Sequence, residues 1–198
     1  MATKVRVWLA LLTLAAVLIV VALSGPTRAA AGKDLRPDVV KIGDMYKAGK
    51  GADAAKESVK VAKMFEETAD VMHLFRARNK GGMGWGHKSI TTNPAEDGLE
   101  KKLQALAKTP PANIAKEAPA AEEAAYDLAA LADLIKAKAP TKSAGRKTPK
   151  AWNEFSDQMR EASLELAKAA AGKNAATISK AAAKVNSSCN ACHSIFKE

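Results

Sequence analysis

The sequence predicts an all-α protein, an antiparallel helical bundle, on three observations. Ala and Lys dominate the chain beyond residue 31, and both are good helix formers. No stretch there alternates apolar and polar residues between turn signals, which is the pattern of a strand. Instead, apolar residues recur at spacings of three and four on at least four segments, which gathers them on one face of each. Helices of this kind pack antiparallel at shallow crossing angles.

The chain has 198 residues, enough for one domain and a processed leader. Lys4 and Arg6 precede an uncharged apolar run of 17 residues, 7–23, and Ala29-x-Ala31 is a signal-peptidase pattern. Residues 1–31 therefore read as a signal peptide, and 32–198 as the mature domain. The other reading is an uncleaved membrane anchor, at the short limit for a span. Either way the domain lies outside the cytoplasm, in the periplasm of a bacterium. Without Lys4, Arg6 and Arg28 the formal charge of +10 becomes +7. A basic surface suits an acidic protein, an anionic membrane or a nucleic acid. Export, few aromatics and the lack of a nucleic-acid motif argue against the last.

Pro37 suits the first turn of a helix over 37–48. Gly49-Lys50-Gly51 interrupts it, and Val61, Met64, Phe65, Val71, Met72 and Phe75 predict one long helix over 52–78. Residues 79–117 form a long Gly- and Pro-rich segment, with one short helix expected over 96–108. Its glycines follow a helix rather than a strand and do not spell a nucleotide fingerprint. Long loops often serve function, and this one could act as a flap. Ala121, Ala124, Leu128, Leu131 and Ile135 mark a helix over 119–138. A basic linker leads to Thr148-Pro149, a cap followed by a first-turn Pro, and to a helix carrying Trp152, Phe155, Met159, Ala162 and Leu166. Gly172 ends it, and Asn174 caps the last helix.

That last helix carries the chemistry. Its inner face reads Ile178, Ala182, Val185, Cys189, Cys192 and Phe196. Cys189-Asn190-Ala191-Cys192-His193 is C-x-x-C-H, the c-type haem attachment pattern. Each thiol can add to one vinyl group, and the His that follows can reach the iron. On a helix, positions three and four apart share a side, so Cys189, Cys192 and His193 point together. A redox dithiol would open a helix after a strand, and none is nearby. Structural zinc needs four ligands, and there is no second Cys pair. A disulfide would leave His193 unexplained. The expectation is one covalent haem c, set into the interior of the bundle.

With this order of elements the chain resembles the class II c-type cytochromes, cytochrome c-prime and its low-spin relatives. The match runs over 148–197, about a quarter of the chain, through Thr148-Pro149, Trp152, Phe155, the Gly172 break, and Ser188-Cys189-Asn190-Ala191-Cys192-His193. The resemblance implies a four-helix bundle, here with an extra N-terminal helix and a long Gly-rich loop. It implies Cys189 and Cys192 as haem attachments, His193 as the proximal iron ligand, and a possible homodimer. In cytochrome c-prime the sixth iron position is empty and binds small gases. In the low-spin relatives a Met from the first helix fills it, and the protein transfers electrons. Met72 is the first candidate for that ligand, Met64 and Met45 are alternatives, and His73 and His87 are the imidazole options.

The expected function is electron transfer by an exported monohaem cytochrome, with a gas-binding protein of the c-prime kind as the alternative. No acid–base residue is tied to the motif, so no enzyme is expected. In an up-down bundle the end of the last helix lies beside the linker with Lys136, Lys138, Lys142, Arg146, Lys147 and Lys150. This basic collar suits an acidic redox partner.

Overall fold

The computed structural model describes residues 34–197, so the expected signal peptide lies outside the described residues. It is all-helical, with seven α-helices among the described residues. None of them is long and apolar enough to cross a membrane.

Helix α1, Arg36–Lys47, has Pro37 in its first turn and buries Val39, Ile42 and Gly43. The chain reverses at Gly49, whose φ of 74° is costly for a residue with a Cβ. The single helix expected over 52–78 is instead broken. Helix α2 is Gly51–Val61, a 3-10 turn follows over Ala62–Met64, and α3 is Thr68–His73. Phe65 and Glu67 between them are extended, with ψ of 151° and 144°. The cause lies across the fold. The ammonium of Lys138 donates to the Phe65 carbonyl and sits 4.6 Å from the centre of its ring. That carbonyl is drawn out of the helical ladder, and the apolar stripe is buried by two short pieces rather than one rod.

Helix α4, Leu99–Lys108, starts three residues later than expected, after a 3-10 turn at Pro94–Glu96 capped by Asn93. Helix α5, Ile114–Lys136, starts five residues earlier, because the Asn113 side chain accepts from Lys116 N–H. Pro119 therefore falls inside α5 rather than at its start. Helix α6, Pro149–Ala171, is capped by Thr148, and α7, Ala175–Phe196, by Asn174, both as the sequence predicts.

Helix α5 is central. Ala121, Ala124, Ala125, Leu128, Ala130, Leu131 and Leu134 are all fully buried. A helix buried at so many positions must be covered on most of its faces. It packs on α1, α2 and α6; α6 packs on α7, and α7 on α4. The small side chains allow close approach: a Cβ on Gly43 of α1 would lie 2.8 Å from Asp127 Oδ1 of α5. The two buried acids of α5 each meet a cation or donor. Asp133 accepts from Tyr46 of α1 and from Arg160 of α6, the latter at 3.2 Å. Asp127 faces His87, 3.6 Å away.

Three contacts fix which ends meet. The Trp152 indole N–H donates to the Ile135 carbonyl at 2.7 Å, joining the start of α6 to the end of α5. The Trp152 ring meets the Phe196 ring at the end of α7. Ser179 Oγ, early in α7, donates to the carbonyl of Leu106, late in α4. The end of α5, the start of α6 and the end of α7 thus lie together, with α4 running antiparallel to α7.

Candidate functional site

Helix α7 holds the three motif residues on one side. Ile178, Ala182 and Val185 are buried, Cys189 and Cys192 are half-buried, and His193 is exposed. Both cysteines are free thiols. Burial, with the neighbouring Cys192 thiol adding to it, pushes the Cys189 thiol up to about 11. Burial raises Cys192 as well. A redox dithiol needs the opposite shift, which a helix N-terminus supplies. These two sit in about the last two turns of α7, where the helix dipole disfavours a thiolate. No group of three or more His, Cys, Asp and Glu side chains suited to a metal ion occurs among the described residues. Two half-buried neutral thiols, Cys189 packed against the core, with an accessible imidazole directly after Cys192, fit a group that takes two thioethers and one nitrogen.

The α6 side of this region is aromatic. Trp152 and Phe196 meet edge-to-face with centroids 4.9 Å apart, and Phe155 lies 6.4 Å from Phe196. Met159, one turn beyond Phe155, is buried on the same stripe. On the other side, the Glu100 carboxylate of α4 is near enough to add slightly to the rise at Cys189.

The distal candidates separate clearly. Met45 is half-buried on α1, a helix that packs on α2 and α5. Met64, in the 3-10 turn, is 49% exposed. Met72 on α3 is half-buried against the core. His73 is exposed. His87 is half-exposed and its two ring nitrogens face Glu123 and Asp127 of α5, at 3.8 and 3.6 Å.

Met72 belongs to a strap, residues 65–75, that crosses from α5 to α4. One end is tied by Lys138, just beyond α5, to the Phe65 carbonyl. At the other end Glu100 N–H, in the first turn of α4, donates to the Phe75 carbonyl at 3.3 Å. Helix α4 runs along α7 from Ser179 towards Cys189. Both ties of the strap lie towards the motif: Lys138 follows α5, whose end meets Phe196 through Trp152, and Glu100 acts on Cys189.

The glycine run has a use that the sequence did not disclose. Arg78 donates to Asp97 Oδ2 at 2.9 Å, to the Gly86 carbonyl at 2.8 Å and to the His87 carbonyl at 3.3 Å. Asp97 is buried and also accepts from Trp85 N–H. A Cβ on Gly84 would stand 2.4 Å from the guanidinium carbon, and φ there is 76°. The backbone wraps the guanidinium closely because these residues have no side chains. The run is an arginine wrap, with no phosphate cradle in it. Arg78 and Asp97 carry no local sequence signature; the surrounding glycines are the only hint.

The basic collar is partly spent. Lys136 pairs with Asp157 at 2.7 Å, Lys138 is held by Phe65, and Lys150 lies 3.8 Å from Glu154. Lys142 and Arg146 are exposed, and Lys147 is half-buried. The chain has no match among models of known families, curated proteins or solved structures.

Proposed function

We propose that this chain is an exported monohaem c-type cytochrome that transfers electrons, with α4 to α7 and the strap as its haem-binding four-helix bundle of the c-prime kind. The observation that carries this is the motif's setting. Cys189 and Cys192 are free, neutral and half-buried, Cys189 against the core, while His193 lies exposed beside them.

In this reading Cys189 and Cys192 hold one haem c by thioether bonds, and His193 supplies the proximal nitrogen. Bound there, the haem supplies a one-electron ferric/ferrous couple. The protein's own groups do the rest. Trp152, Phe155 and Phe196 exclude water from the α6 side. Met72, on the strap, is the residue that would supply the iron's second protein ligand, and a thioether ligand would favour the reduced state. Met64 is too exposed and Met45 sits on α1, so both fall behind it. Lys142 and Arg146 face an acidic redox partner near the end of α7. Export places the protein in the periplasm, membrane-anchored only if residues 1–31 are retained. Homodimerisation follows from the resemblance, and sedimentation of the mature protein tests it.

A second reading has one observation behind it. Helix α4, which packs on α7, carries neither Met nor His. If the strap does not deliver Met72, the sixth position is open and the protein binds nitric oxide or carbon monoxide instead. Absorption spectra of oxidised and reduced protein, with and without carbon monoxide, decide between the two. A methionine–iron charge-transfer band and indifference to carbon monoxide support electron transfer. A high-spin reduced form that takes carbon monoxide overturns it in favour of gas binding.

A further inference from the structure

We infer that Arg78 and Asp97 are a positioning pair for Met72, setting whether the sixth iron position is filled. This rests on the haem reading above and concerns residues that touch neither the motif nor the ligand.

The strap has little means of holding itself. Helix α3 has six residues, and a helix that short does not persist on its own, because nucleation is costly and few bonds follow. Its position is therefore set by the burial of Val71 and Leu74 and by anchors at its two ends. One is Lys138 on the Phe65 carbonyl. The other begins two residues after Met72. Met83 N–H donates to the Leu74 carbonyl at 2.8 Å, Gly82 N–H donates to Ala77 at 3.1 Å, and Ala77 bridges to Gly98. These bonds bring residues 82–83 and 98 back onto the strap, and all of them lie in the loop folded round Arg78.

The guanidinium is the hub of that loop. It reaches the carbonyls of Gly86 and His87 and the Asp97 carboxylate, whose side chain is only 4% exposed. Asp97 also stands just ahead of α4, so one pair fixes both the strap and the start of the helix packed on α7. Without the charge on Arg78, a buried carboxylate and two carbonyls lose their donor, and the loop must open to water. The strap then keeps Lys138 and the Glu100–Phe75 bond but loses the loop's hold on Leu74 and Ala77, and Met72 is no longer presented at a fixed place. Ligand bonds to a metal depend on such supporting contacts.

The test uses the full chain matured in a host competent for cytochrome assembly, as wild type, Met72→Leu, Arg78→Gln, Arg78→Lys and Asp97→Asn. Helical content is followed by circular dichroism, the methionine–iron band by absorption, and carbon monoxide uptake by stopped flow. Wild type is expected to show the band and resist carbon monoxide, and Met72→Leu to lose the band. Arg78→Gln and Asp97→Asn should keep their helical content, lose most of the band, and take up carbon monoxide about tenfold faster or more. Arg78→Lys should recover part of the band. If Arg78→Gln fails to fold, Asp97→Asn decides, since Asn keeps an acceptor for Trp85 N–H. Folded Arg78→Gln and Asp97→Asn proteins with the wild-type spectrum and rate overturn the positioning role alone. A band that survives Met72→Leu, or is missing in wild type, overturns it through Met72. A colourless wild type overturns the haem reading as well.

Discussion

Trp152 joins three helices. Its ring meets Phe196 of α7 at 4.9 Å and 90°, and its indole N–H donates to Ile135 of α5 at 2.7 Å. One side chain at the start of α6 thus sets the ends of α5 and α7 beside each other. Replacing Trp152 with Ala removes a buried aromatic and one of the two donors to the Ile135 carbonyl, leaving it Lys138 N–H. Stability is expected to fall by about 3–5 kcal/mol. Urea unfolding followed by circular dichroism measures this, and a loss under about 1 kcal/mol contradicts the role given to Trp152.

Two glycines separate backbone strain from crowding. Gly49 and Gly84 both have positive φ, of 74° and 76°. A Cβ at Gly49 meets nothing within 4 Å, whereas at Gly84 it runs into the Arg78 guanidinium. Gly49→Ala is expected to cost about 1 kcal/mol, from the conformation alone. Gly84→Ala should cost clearly more, by thermal or urea unfolding, because Arg78 must leave its place. Equal losses contradict the arginine wrap.

The His87–Asp127 contact makes stability depend on pH. The Asp127 carboxylate, which accepts from the imidazole, raises it above its ordinary 6.5, against the opposing effect of burial. A raised folded-state value means the contribution is complete below 6.5 and is lost as pH climbs through the folded value. Burial also raises Asp127, so its ionised form depends on the imidazolium staying beside it. The urea midpoint of the wild type should therefore fall as pH rises above 6.5, and that of His87→Gln should change less over the same range. Parallel curves for the two proteins contradict this.

The proposed docking of an acidic partner rests on the exposed part of the collar, Lys142 and Arg146. Changing Lys142 and Arg146 together to Glu should slow reduction by an acidic redox protein at low salt, by about tenfold. Raising the ionic strength should slow the wild type and leave the variant little changed, since screening acts over about 8–10 Å. A wild-type rate that ignores salt contradicts the docking role.

The parts of the fold that local chemistry decides were legible in the sequence. Thr148-Pro149 and Asn174 start α6 and α7 as capping predicts, and the stripe from Ile178 to Val185 is buried. The break at Phe65 was not legible, because its cause, Lys138, lies 73 residues away. Pro119 misled for a related reason: Asn113 caps the helix earlier, and Pro119, in the second turn, costs one backbone hydrogen bond without ending the helix. Asp127 and Asp133 did give a signal. Two acids in a run of Ala and Leu must meet partners when the helix is buried, and they do. The identity of those partners, His87, Tyr46 and Arg160, needed the fold.

The central claim is covalent haem on Cys189 and Cys192, with His193 on the iron. The direct measurement is the reduced alkaline-pyridine spectrum of protein matured in a cytochrome-assembling host, taken after extraction with acidified acetone. The account predicts that colour stays with the polypeptide and that the spectrum is that of a haem with both vinyl groups saturated, one per chain. It also predicts that the Cys189→Ser, Cys192→Ser double variant loses the pigment. Colourless protein, or pigment that leaves with the acetone, contradicts the account.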